Sequence, residues 1–317
     1  MEARTPAWRR GIPVLSFGLA ILCLAWVIRE IDLGQLWKQI LDLHPGWLSL
    51  AVICDLLAYL AQGLRWRLLL TSVGNVPTFT ATKVLFAGLF VSEVLPFRPG
   101  EALRVWLAAR EMSLSPAALA PSVIVERLID GVWMALGLLL LAYYVPLPLG
   151  LSHAVKVFAT VVACLAAVSA ALPSLITRFG FARRWDVARK FRFVPNSLPI
   201  AGAWAGSAAM IVLQAFSFWF TLKACRIGLS LPQAFGVLLV VRIGTLIPGA
   251  PANLGTYQFA AMLGLTLFGV SKGIAAPFSM ILFTVLTAPL WLLGAAALAQ
   301  TGVKLSALRG KGLHATG

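Results

Sequence analysis

The chain has 317 residues, of which 60% are hydrophobic and 12% charged, with a mean hydropathy of +0.90. Soluble domains carry roughly 25% charged residues, so this balance excludes a soluble globular protein and specifies a single integral membrane domain over 1–317. The formal charge of +15 is scattered singly between apolar runs, which argues against a nucleic-acid partner and for membrane topology and contact with anionic lipid headgroups.

In chain order, the segments predict an all-α polytopic membrane protein with about six full spans and two re-entrant helical hairpins. Arg4, Arg9 and Arg10 precede an apolar run from Gly11 to Ile28. That run is too long for a signal-peptide core and lacks a small-x-small cleavage site, so 12–28 is read as the first span. The second covers 46–64. Val84 to Leu95 then gives about 18 Å of helix before Leu95-Pro96-Phe97-Arg98-Pro99-Gly100-Glu101, too short to cross hydrocarbon alone. This predicts the first hairpin at about 84–110.

Spans follow at 122–145 and 154–176, then a basic, aromatic loop at 177–199 suited to a cytoplasmic leaflet, then a span at 200–222. A second short apolar stretch, Ala234 to Ile247, ends at Ile247-Pro248-Gly249-Ala250-Pro251-Ala252-Asn253 and predicts a hairpin at 234–268. The last span covers 275–299. Both turns spell aliphatic-Pro-x-x-Pro, with Pro96, Pro99 and Gly100 in one and Pro248 and Pro251 in the other. Paired prolines free backbone carbonyls that lipid cannot satisfy, so such turns belong beside protein or a wet cavity. Three spans separate the hairpins, which makes them an inverted pair meeting near the midplane. With both termini in the cytoplasm, Lys and Arg fall inside about three times as often as outside, Arg65 among the inside ones, just past the second span.

Charges within apolar segments are costly and mark partners or cavities. Asp55, Glu93, Glu101, Arg104, Glu126, Arg127, Asp130 and Arg242 are of this kind. Glu101 and Arg104, three apart, can pair along one helix face. Glu126 and Asp130, four apart, repel unless a cation from another helix sits between them, which predicts a network reached by Arg98 or Arg104. Arg242 has no acid on its own hairpin. It either pairs with Glu93 or Glu101, or presents its fork with Arg98 to a lipid phosphate. The candidate substrate-binding set is Arg98, Glu101, Arg104, Glu126, Arg127, Asp130 and Arg242. Tyr257, Gln258, Asn253 and Thr256 after the second turn either offer neutral polar contacts to a headgroup or cap the restarting helix, with Asn253 or Thr256 as the cap. Cysteines and histidines are dispersed and no phosphate-loop motif occurs, so no metal or other cofactor is expected.

Gly100-Glu101-x-x-Arg104 after a Leu-Pro turn, Glu126-Arg127-Leu128-x-Asp130, and Ile247-Pro248 with Gly255 before a helix resemble the transmembrane domain of the lysylphosphatidylglycerol synthase/flippase family over about 12–300. Members of that family usually carry a glycine-rich turn followed by Gly-x-x-Glu, where this chain has Ala252, Asn253 and Gln258. The resemblance implies translocation of phospholipids or glycolipids across a bacterial or archaeal cytoplasmic membrane, with anionic or phosphate-bearing lipids as partners. It does not imply aminoacyl transfer, which in bifunctional members belongs to a further soluble domain; the chain is expected to be the stand-alone form. A membrane enzyme using Glu126 or Asp130 on a lipid headgroup, and an accessory subunit of an envelope-lipid pathway, are the alternatives. No oligomeric state follows from these residues.

Overall fold

The computed structural model describes residues 8–71, 73–74, 76–95, 99–144, 153, 156–157, 159–164, 198–246 and 251–303. The named helices are α1 (Trp8–Arg29), α2 (Leu33–Leu41), α3 (Pro45–Leu70), α4 (Thr78–Val94), α5 (Gly100–Met112), α6 (Pro116–Tyr144), α7 (Leu198–Ala224), α8 (Leu231–Gly244), α9 (Thr256–Leu267) and α10 (Lys272–Gln300). Among the described residues there is no strand. Three helices, α3, α7 and α10, are long and apolar enough to cross a membrane by length and composition. The expected span at 154–176 and the loop at 177–199 lie mostly outside the described residues, as do Pro96, Arg98 and Pro248.

The expected hairpin segments form two antiparallel pairs of short helices. In the α4/α5 pair, Lys83 bonds Glu111 at 2.8 Å across the open end, while Gly88 and Ser92 meet Gly100 near the turn. A Cβ on Gly100 would lie 1.7 Å from the Gly88 carbonyl oxygen, so the two backbones touch directly and only glycine fits. In the α8/α9 pair, Gly244 lies against Ala260 and Gly264 against Val237.

Two large apolar clusters, with a small third of Leu69, Ile129 and Ala203, hold the described helices together. One collects Phe218, Val237, Leu239, Ala261, Leu265, Phe278 and Leu282 around α8 and α9. The other collects Trp66, Leu70, Leu85, Val91, Leu103, Leu107 and Leu298 around α4 and α5. Helix α10, with Pro277 and Pro289 inside it, serves both: Leu286 belongs to the first cluster and Leu290 to the second. The distribution of polarity is the reverse of a soluble protein's. Leu22, Leu57, Leu140, Leu292 and Trp26 are exposed, whereas Arg65, Arg104, Glu126 and Gln258 are buried.

Candidate functional site

Helix α3 presents Asp55, Tyr59, Gln62 and Arg65 at spacings of four, three and three, which places them along one face over about 15 Å of rise. Helix α7, packed along α3, sets Ser207 and Gln214 seven residues apart against the same polar stripe. Small polar residues on α7 let these two helices approach while still offering hydrogen bonds.

Arg65 is fully buried and is the cation that Glu126 and Asp130 require. Its Nη2 donates to Glu126 Oε1 and its Nη1 to Asp130 Oδ1, with a further bond from Nη1 to Ser207 Oγ at 2.6 Å. Gln62 Nε2 adds a bond to Glu126 Oε1 at 3.4 Å. The network predicted around the two acids is therefore present, but its central arginine comes from α3. Arg65 was expected at a cytoplasmic helix end; instead α3 continues to Leu70 and holds it in the interior.

Arg104 on α5 donates from Nη2 to Glu126 Oε2, as the sequence predicted for one of the two candidate arginines. Its guanidinium also lies over the Trp66 ring, 4.9 Å from the centroid, and Trp66 Nε1 donates to Ser122 Oγ at 3.1 Å. The local Glu101–Arg104 pairing is not among the ion pairs of the described residues. Glu101 instead accepts from Arg127 Nη2, because Arg104 is drawn inward to the buried Glu126. Arg127 Nη1 reaches Asp130 Oδ2 at 3.9 Å. Three arginines and three carboxylates thus alternate across α3, α5 and α6, so the cluster compensates its own charge. Such a cluster fixes helix positions more readily than it attracts an ion.

Two cavities, each of about 180 Å³, open beside this cluster. The first is lined by Glu101, Arg104, Arg127 and Asp130 together with Ser92, Gly100 and Met210. The second is lined by Asp55, Thr245, Asn253, Tyr257, Phe283 and Thr287 among others. Tyr59, Glu93, Gln214 and Arg242 line both, so they form the boundary between a strongly ionic chamber and a weakly polar one. Arg242 Nη2 donates to the neutral amide oxygen of Gln214. Of the candidate set, Glu101, Arg104, Arg127, Asp130 and Arg242 line the first cavity. Glu126 is fully buried behind its wall, and Arg98 lies outside the described residues.

The two proline-bearing turns converge on these chambers. Gly100 and Glu101 border the first, while Ala252 and Asn253 border the second, and the 3-10 turn Pro251–Asn253 packs against α4. Ala252 and Asn253 adopt φ of 55° and 49°, a left-handed conformation that costs of order 1–3 kcal/mol for a residue with a Cβ. The predicted cap is corrected: α9 starts from Gly255 at φ 89°, whose N–H donates to Gln258 Oε1 at 2.7 Å. Gln258 supplies the capping side chain, while Asn253 lies two residues before the N-cap and lines the second cavity. A Cβ on Gly255 would lie 2.1 Å from the Ala20 carbonyl oxygen of α1.

Tyr59, Gln62, Arg65, Ser207 and Gln214 are site residues that sequence reasoning missed. The α3 stripe was visible as helical spacing from Asp55; the α7 residues carried no comparable signal. Among the described residues, no group of three or more His, Cys, Asp or Glu side chains could hold a metal ion.

A family model described as "Lysylphosphatidylglycerol synthase TM region" matches residues 14–309. A relative, the "UPF0104 membrane protein MJ1595" of Methanocaldococcus jannaschii, is 23% identical over 131 residues, which is 40% of this chain and 39% of that protein. The match therefore spans well under half of that relative. The family match and the apolar helices together identify an integral membrane protein.

Proposed function

We propose that this chain, which belongs to the lysylphosphatidylglycerol synthase TM region family, moves a lipid with an anionic or phosphate-bearing headgroup between membrane leaflets. The observation that carries this reading is Arg242, whose guanidinium bonds a neutral amide and borders both cavities. A guanidinium so placed matches a phosphate bidentately and can hand it from one chamber to the other. The self-compensated cluster of Arg65, Arg104, Arg127, Glu101, Glu126 and Asp130 shapes the chamber wall, and Arg98 joins Arg242 on the headgroup.

In this reading α4/α5 and α8/α9 are re-entrant hairpins entering from opposite faces, and alternating access arises as one pair and its cluster rock against the other. Both termini face the cytoplasm. The alternative of a headgroup-modifying enzyme with Glu126 as base is disfavoured by geometry: both Glu126 oxygens accept from guanidinium groups and the residue stands behind the cavity wall.

The test is reconstitution into phosphatidylcholine vesicles bearing a fluorescent phosphatidylglycerol, with dithionite quenching as the readout of leaflet exchange. Wild-type protein accelerates exchange, and Arg242→Ala lowers the rate at least tenfold while keeping a wild-type elution profile. Equal exchange by wild-type and empty vesicles, across anionic phospholipids and polyprenyl phosphates, would sink the reading.

A further inference from the structure

The second cavity contains a carboxylate that the ionic network does not use. Asp55 is 3% exposed, and its Oδ2 is the only carboxylate oxygen among the described residues that is buried without a hydrogen-bond partner. It lines a cavity whose other titratable or charged groups are Tyr59 from α3 itself, Glu93 from α4, Arg242 from α8 and Tyr257 from α9. Helices α7 and α10 contribute no titratable group to that lining, and the acids of α6 are engaged by Arg65. A buried charge without a partner is strongly disfavoured, so Asp55 needs a cation or a proton. Arg242 is the cation bordering the same chamber, yet it also borders the first chamber, and its guanidinium bonds the amide oxygen of Gln214, which lines both.

We infer that Asp55 is a proton-binding site, ionised when the Arg242 guanidinium turns to it and protonated when Arg242 is engaged by an anion. The inference rests on the reading that Arg242 takes the lipid headgroup. One guanidinium cannot compensate a phosphate and the Asp55 carboxylate together, so headgroup binding is linked to uptake of a proton from solvent, which forms an O–H bond on Asp55. A metal cation fits less well, because Arg242 already places a positive charge in that chamber. Linkage is reciprocal: affinity for the anionic headgroup rises as pH falls, approaching about tenfold per pH unit where one coupled proton titrates.

The experiment uses the full chain in detergent at low buffer capacity, with a pH-indicating dye and dihexanoylphosphatidylglycerol as probe. Wild-type protein takes up a proton for each lipid bound in that range. Asp55→Asn takes up none, and its affinity is flat with pH. Asp55→Glu, which keeps the acid, retains uptake and covers the case in which Asp55→Asn fails to fold. Infrared difference spectra between low and high pH supply a readout that needs no lipid, a protonated-carboxyl stretch that grows as pH falls, shifts in D₂O and disappears in Asp55→Asn. Lipid binding without proton uptake overturns the proton site and leaves the headgroup reading standing. Affinity that follows sodium at constant pH also overturns it. If no lipid binds, the headgroup reading falls, and the infrared band alone decides: its presence supports a proton on Asp55 and its absence refutes one.

Discussion

Replacing Arg65 by methionine removes the one group that contacts both Glu126 and Asp130 while keeping a side chain of similar length. Glu126 would retain Arg104 and Gln62, and Asp130 would retain the Ser207 hydroxyl at 3.5 Å and the longer contact to Arg127 at 3.9 Å, neither of which replaces the lost ion pair. Removing one partner of a buried ion pair costs about 3–5 kcal/mol, because the remaining charge is stranded. At this chain length that loss lowers an apparent melting midpoint by on the order of 10 °C. Adding Glu126→Gln removes the stranded charge, so the double variant should be less destabilised than the two single losses combined, with a coupling of about 1–3 kcal/mol. Arg65→Lys should rescue only in part, since an ammonium cannot present parallel donors to two carboxylates. Unfolding followed in mixed micelles by circular dichroism, over the four members of the cycle, measures the coupling. Additive losses, or a stable Arg65→Met, would refute the view that Arg65 organises this cluster.

Two further changes probe the turns. Gly100→Ala drives a Cβ to 1.7 Å from the Gly88 carbonyl oxygen and 2.4 Å from Ser92 Oγ, so α4 and α5 must separate. The expected cost is about 1–3 kcal/mol or more, with slower lipid exchange as Glu101 and Arg104 lose register, both measurable on one vesicle preparation. Ala252→Gly relieves the left-handed backbone at φ 55° and should raise stability by up to about 1 kcal/mol in the same micelle unfolding assay.

The positions of the helices were legible because their cause, apolar length against hydrocarbon thickness, is written locally. The predicted 46–64 and 275–299 correspond to Pro45–Leu70 and Lys272–Gln300. The pairing of Glu126 and Asp130 was legible as a need, because two acids on one face cannot both ionise in the interior without a cation. Which cation meets that need was not, since counting positive charge by side treated Arg65 as a topological marker. Its spacing from Asp55, Tyr59 and Gln62 was the overlooked signal. Gln214 could not be found from sequence, because a single amide in an apolar helix acquires meaning only when α7 is laid along α3. The left-handed Ala252 was equally hidden, since alanine gives no sign of a conformation that favours glycine.

Helix α10 carries a mechanical consequence. Pro289 cannot donate to the Val285 carbonyl, so the helix is weakest just where Leu286 leaves one apolar cluster and Leu290 joins the other. The two ends of α10 therefore behave as arms, each bolted to one short-helix pair, with a joint between them. Bending at that joint would change the angle between the pairs without unpacking either, and would widen or narrow the second chamber, which Phe283, Leu286, Thr287 and Leu290 border.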